Sequence, residues 1–479
     1  MTSAANPDRL AARLGDRVRA TAGPWEVYAE RARRYEVHFN GTSIELVRGP
    51  IIVEGYGIRL FRPKGKETGV GYQASTDLSD DGVRAAIADA EEVSHVSRFP
   101  AQDPALPAST GAAAGPELVD PALWSDPARS LDDFAAKLFA SFEGRAGVVP
   151  SFGSAKATLA EISIANSRGL DTAYAHTIVE TEIGVKSFGG PEGRPPGEYW
   201  VTGTSRRVEA DRLPALVDDW ARYARDARNA ASPPTGQIPV VLPPDVSEGF
   251  IPAVIGFKLG AVAALRELAI PAGTRVGGDD LTIYDDGTVD WAVGSAPIDD
   301  EGTPRVARPV VVNGRAAAPM SDVLHARALD STSTGNAGRG DRFRSIAAWG
   351  RFHHAPSPRL STAVIPPGSG GSDAELVEQV EDGIWVQQIG WAQPDILTGR
   401  FGGEIRIGYR IRHGKLAEPV RGGVVGGMVI GPEGTASLFS GLSARGSKSQ
   451  LVPGLSTPTL VVQTLSVSGE AGAGATASP

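Results

Sequence analysis

Residues 240–257 read Val240-Val241-Leu242-Pro243-Pro244-Asp245-Val246-Ser247-Glu248-Gly249-Phe250-Ile251-Pro252-Ala253-Val254-Ile255-Gly256-Phe257. A short aliphatic run stopped by a proline pair predicts a buried strand, and the apolar stretch from Phe250 to Leu265 predicts a helix behind it. Pro252 falls in the first turn of that helix, where its missing N–H costs no hydrogen bond. Ile255 and Phe257 are expected to turn into the core. Lys258 breaks the run, which is too short to span a bilayer.

The rest of the chain is read outward from that hub. Its 479 residues are enough for about two to four domains. A hydrophobic share of 41% with 22% charged residues is that of a soluble globular protein. Lys+Arg 47 against Asp+Glu 56 gives a net charge of −9, which argues against broad binding to nucleic acid or anionic membranes. With no cysteine, disulfides, thiolate metal ligands and cysteine nucleophiles are excluded. The start, Met1 to Arg9, lacks the basic and apolar regions of a signal peptide, so a cytoplasmic location is expected.

Strand and helix signals alternate through the first half. Arg9–Ala20 predicts a helix. Tyr35–Phe39 and Ser43–Val47 alternate around Asn40-Gly41, a strong hairpin signal. A second hairpin is expected between Gly57–Phe61 and Gly69–Gln73, and a capped helix after Asp77-Leu78-Ser79. Residues 99–128, rich in Pro and Ala, predict a surface connection. Helices over Leu131–Phe142 and Arg212–Ala230 enclose strands over Thr158–Ala165 and Tyr174–Lys186. Ala231–Gly236 is the expected boundary. The organisation expected is an N-terminal α+β domain over 1–231, a strand-rich C-terminal domain over 237–469, and a disordered tail over 470–479.

The ordered motifs resemble the TldD/PmbA metallopeptidase family along nearly the whole chain. Gly55-Tyr56-Gly57-Ile58-Arg59 and Gly69–Tyr72, followed by Thr76–Ser79, are similar to the family's opening. Asn166-Ser167-Arg168-Gly169, Asp299-Asp300-Glu301-Gly302 and Thr334-Gly335-Asn336-Ala337 match its Asn-Ser-x-Gly, acidic and Thr-Gly-Asn-Ala elements. Asp373–Ile384, Leu397–Gly403 and Pro453–Gly469 follow in order. The resemblance implies an α+β, two-domain fold. It also sets 240–257 beside the family's strand and His-Glu-x-x-x-His helix, where two histidines hold zinc and the glutamate activates water. The matching positions here are Pro252, Ala253 and Phe257, and the family's C-terminal cysteine ligand falls at or beside Arg445. No catalytic residue and no metal ligand are therefore expected in this chain.

By resemblance the chain is of the zinc-less TldE/PmbA type. That implies a heterodimer with a TldD-like, zinc-bearing subunit, and a shared chamber for a peptide or small-molecule amide, with zinc only in the partner. Antibiotic or peptide maturation is one setting the family implies. Gly335, Asn336, Arg339, His353 and His354 are candidate chamber-lining residues. Alternatives remain open on the residues alone. Asp300 in the acidic turn could serve a metal-independent hydrolase with a nearby histidine, though Asp299–Glu301 reads first as a solvated turn. A homodimeric peptide-binding module is the other. Arg339, Arg342 and Arg344 read as a solvated basic loop, Gly368–Ser372 as a flexible loop, and Gly422–Gly427 as close backbone packing or a peptide-accepting edge. His353 and His354, adjacent on an expected strand, would point to opposite faces.

Overall fold

The computed structural model describes residues 8–21, 23–101, 103–108, 115–189, 195–340, 349–390 and 392–469. The expected tail over 470–479, and Arg342 and Arg344, lie outside the described residues. In the first half, β1 (Trp25–Asn40), β2 (Ser43–Lys64), β3 (Glu67–Ser75), β4 (Val148–Asn166), β5 (Asp171–Ser187) and β6 (Gly197–Ser205) form one antiparallel sheet in the order β3-β2-β1-β4-β5-β6. The two hairpins turn where the sequence places them, at Gly41 and Gly65, both left-handed.

Period-two alternation gives this sheet two distinct faces. On β1, Val27, Ala29, Val37 and Phe39 face helices. These are α1 (Leu10–Val18), α2 (Asp80–Val96), α3 (Pro121–Ser125), α4 (Pro127–Phe142) and α5 (Leu213–Asn229). Leu10, Leu14 and Val83 cover one end of that face, and Leu131, Phe134, Leu138 and Trp220 the other. Ser79 caps α2 by accepting from the Gly82 N–H. The 99–128 segment is less superficial than its composition implies. It contains α3, and Leu106, Leu118 and Leu123 are buried because their side chains seal the sheet's ends.

The second half has more numerous, shorter strands. β7 (Gly236–Leu242) runs parallel to Asp382–Gly390 and antiparallel to Leu460–Ser468. Val424–Met428 and Arg400–Arg412 continue the sheet, and Arg400–Arg412 pairs back to Asp382–Gly390. Five strands thus close on themselves, which removes their free edges. Val424–Met428 is paired on both sides, so the Gly422–Gly427 stretch serves close packing and offers no edge for a peptide. Beyond β7, α6 (Pro244–Ser247) and α7 (Ile251–Lys258) follow, and Ile251, Val254 and Ile255 enter the core with Val240, Leu242, Ile384 and Ile405.

The other face of the first sheet meets the second half, and here the acidic turn departs from expectation. Asp299, Asp300 and Glu301 are all at most 1% exposed. They are tolerated because Asp300 and Glu301 are paired with arginines and Asp299 accepts from the N–H groups of Glu301, Thr303 and Ala337. Even-numbered residues of β1 carry Glu26, Tyr28 and Glu30 toward them, and Arg59 sits opposite Glu26 on β2. Arg59 donates to Glu26 at 2.8 Å and to Glu301 at 2.5 Å. Arg339 donates to Glu26 at 2.8 Å, its backbone N–H meets Asp300 at 2.7 Å, and Arg351 pairs with Asp300. Glu30 accepts from the N–H groups of Gly350 and Arg351 at 2.9 and 2.7 Å. Tyr28 lies beneath the Arg339 guanidinium, 4.4 Å from ring centre to carbon. Gly55 completes the joint: a Cβ there would sit 2.3 Å from the Phe352 ring, which packs flat on β2.

Arg59→Ala leaves Glu301 buried without its cation and Glu26 with Arg339 alone, and a loss of about 3–5 kcal/mol is expected in denaturant unfolding. A second prediction follows from Glu30, whose burial outweighs the nearby Arg351 charge and pushes its carboxyl from 4.5 to about 7. Between those values the folded chain binds more protons than the unfolded one, so stability falls as pH rises through that window. Glu30→Gln should flatten this slope by up to about 3 kcal/mol between pH 4.5 and 7. An unchanged slope in the variant would remove Glu30 from the explanation.

Candidate functional site

The helix α7 is short, and its periodicity decides what each position does. Phe250 is the N-cap, so Pro252 stands second in the helix, where no intrahelical N–H is needed. Phe250 itself stacks on Phe401 with ring centres 3.9 Å apart. Ala253 and Phe257, four residues apart, share the face turned from the core. Ala253 is exposed and Phe257 half-buried, so Phe257 does not join the core as expected, whereas Ile255 does. Pro252 packs near Gly454.

Arg445 closes a strand, Leu442–Arg445, that pairs with Leu460–Ser468. Its guanidinium holds the Asp280 carboxylate at 2.9 Å and the carbonyls of Asp280 and Pro366 at 3.1 and 3.2 Å. Its own carbonyl accepts from the Gly370 N–H, and the Gly446 carbonyl from Gly368. The Gly368–Ser372 stretch is therefore tied to this strand, and Ser372 is occupied in a capping box with Glu375. Neither a proline ring, a methyl group nor a phenyl ring offers a lone pair to a cation, and Arg445 adds positive charge. These residues do not fit a zinc ion. Among the described residues, no three His, Asp or Glu side chains come together as a metal site would need.

The segments around these positions do converge. Pro243, Pro244 and Asp245, ahead of α7, and Ser447–Gln450, just after Arg445, border one cleft of about 660 Å³. Gln450 links them by donating to Asp245 at 3.2 Å. The opposite wall comes from the first half, through Tyr199 and the α5 residues Trp220 and Tyr223. Burial raises the Tyr199 hydroxyl well above the ordinary tyrosine range, so it stays a neutral hydrogen-bonding group. Close to this cleft, burial and the neighbouring Asp245 push Glu248 up to about 7. Aromatic walls with hydroxyl and amide groups suit the holding of an extended chain.

The candidate lining residues separate into two groups. Asn336 and Arg339 are buried at 1% and 4% exposure and act as internal ties. Asn336 donates to Asp285 and to the Arg359 carbonyl, and accepts from Thr334 at 2.6 Å. Arg339 belongs to the joint between the halves, not to a solvated basic loop, because Glu26 claims its charge. Gly335 is left-handed with φ +75, and a Cβ would meet the Pro304 carbonyl at 2.7 Å. His353 and His354 are exposed on a 3₁₀ turn rather than a strand. His354 borders a second cleft of about 660 Å³ with His325, Arg266 and Phe99. His325 contacts Asp322 at 2.7 Å. Asp300 is committed to Arg351 and Arg339, which leaves it no opening toward substrate. The buried acids of β1 were missed from sequence. Their signal is charge at alternate positions of an otherwise apolar strand.

Comparison with known proteins gives the same reading of the fold. The family model described as the PmbA/TldA metallopeptidase C-terminal domain matches residues 235–469, and that of domain 1 matches residues 25–94. A metalloprotease TldD homolog of Haemophilus influenzae is 28% identical over 274 residues, 55% of each chain. A metalloprotease of Methanocaldococcus jannaschii is 28% identical over 229 residues, 45% of this chain and 47% of its own. The chain thus spans about half the length of the curated relatives it matches. TldE of Thermococcus kodakarensis has the same fold at 16% identity, with a TM-score of 0.76 over 95% of this chain and 98% of that one. Among the described residues no helix is long and apolar enough to cross a membrane. With two of the family's models matched in order at residues 25–94 and 235–469, the chain belongs to the PmbA/TldD metallopeptidase family.

Proposed function

We propose that this chain is the zinc-less, non-catalytic subunit of a heterodimeric metallopeptidase or amide hydrolase. It completes the substrate chamber of a zinc-bearing, TldD-like partner, and the substrate is a peptide or a small-molecule amide, in a maturation pathway of the kind the family serves. The observation that carries this reading is the donor set: Pro252, Ala253, Phe257 and Arg445 replace every expected ligand and base, yet α7 around them is intact. The aromatic cleft beside these segments supports a role in holding substrate.

An open edge of the first sheet supports the proposed pairing. β3 pairs only with Tyr56–Lys64 of β2, so among the described residues the outer edge of β2 from Ser43 to Gly55 has no neighbour. Ile44, Leu46, Val47 and Ile52 are exposed along it. An apolar open edge of this length invites pairing with another chain.

Purified alone, the chain should hydrolyse no peptide or amide, and zinc added to it should give no turnover. Mixing it with a family member bearing His-Glu-x-x-x-His should produce hydrolysis that a chelator abolishes. Turnover by the isolated chain that survives chelation would sink the proposal. Val47→Lys should leave the unfolding free energy within about 0.5 kcal/mol of the parent. It should weaken capture of the zinc-bearing partner at least about tenfold, read by a binding titration.

A further inference from the structure

Between the two halves, away from the Tyr199 cleft and sharing Arg359 with the His354 cleft, lies a cavity of about 60 Å³. That is room for about four or more water-sized groups. Among the described residues its walls carry Arg206, Arg305, Arg339, Arg351 and Arg359 together with His176, and no carboxylate. Two of these arginines are balanced from behind, Arg339 by Glu26 and Arg351 by Asp300. Arg206 is not. It is 3% exposed, and its contacts are the carbonyls of Thr177, Ala292, Val293 and Ser295.

A buried guanidinium without a counter-charge is costly. Burial, with Arg351 nearby, lowers its proton affinity to about 9, while Tyr174 opposes the shift only in part. Two further polar groups in the same wall lack partners. His176, 3% exposed, has no hydrogen bond at Nδ1, and Ser295, 2% exposed, has none at Oγ. Burial and the charges of Arg206 and Arg351 keep the His176 ring neutral, so it can present one N–H. Buried polar atoms are satisfied in nearly all folded proteins, so unpaired donors around an excess of positive charge point to a missing acceptor. Water would satisfy the donors but not the charge.

We propose that this cavity binds a small inorganic oxyanion of phosphate or sulfate type, with Arg206, His176 and Ser295 as its receptors. The anion would tie the end of β6, which leads to Arg206, to the 292–295 loop of the second half. It is independent of the zinc-less reading above, since no residue of the cavity belongs to α7 or to the Arg445 strand.

The test uses the full chain in thermal melts at constant ionic strength, with chloride replaced stepwise by inorganic phosphate, sulfate or acetate. A saturable rise in Tm with phosphate or sulfate, beyond that in chloride, is expected. Ser295→Ala removes a hydroxyl that has no protein partner, so in chloride it should melt no lower than the parent. It should need about tenfold more phosphate for the same rise. An identical phosphate response in parent and variant would overturn the assignment. So would the absence of any rise above chloride, or a rise with acetate alone.

Discussion

Arg59, held between Glu26 and Glu301, is the interaction on which the arrangement of the two halves depends. It pairs with Glu301 and shares Glu26 with Arg339, and it cannot be buried without these carboxylates. The alternation of β1 makes the joint possible. Successive even positions deliver Glu26, Tyr28 and Glu30 to one face, while the odd positions pack under helices. Once Arg339 and Arg351 are drawn in by Glu26 and Asp300, the halves are fixed in register. The cleft beside α7, whose walls come from both halves, inherits its shape from that joint.

Much of this was legible in the chain. Asn40-Gly41 and the alternating residues on either side placed the first hairpin, and Ser79 with its acidic followers placed the start of α2, because turn and cap chemistry are local. The strand-then-helix order of 240–257, and the suitability of Pro252 for a first turn, were equally local. The acidic turn was not legible. Asp299-Asp300-Glu301 has the composition of a solvated loop, and arginines distant in sequence, Arg59 on one side and Arg339 and Arg351 on the other, make its burial tolerable. Phe257 was misplaced for a different reason. Apolarity gives no direction, and on an eight-residue helix the core face was already filled by Ile251, Val254 and Ile255. The types of Arg339 and Asn336 suggested a chamber wall, where their contacts make them internal ties.

The site region combines an unchanged scaffold with altered chemistry. On the proposed reading, α7 corresponds to the helix that would hold zinc in the partner, and it keeps its form with Pro252 accommodated at no hydrogen-bonding cost. The ligand positions became a ring, a methyl group and a half-buried phenyl group. At the other position Arg445 is built into the fold through Asp280 and Pro366. On the proposed reading, such residues keep the shape and cleft walls without a means of activating water, as a chamber-completing subunit would require.

Affinity isolation of this chain from its native cells, with the co-purifying species identified and zinc counted per complex, tests that claim most directly. The prediction is one stoichiometric partner bearing His-Glu-x-x-x-His, with about one zinc per pair. Recovery of the chain alone or as a homodimer that is free of metal would contradict it.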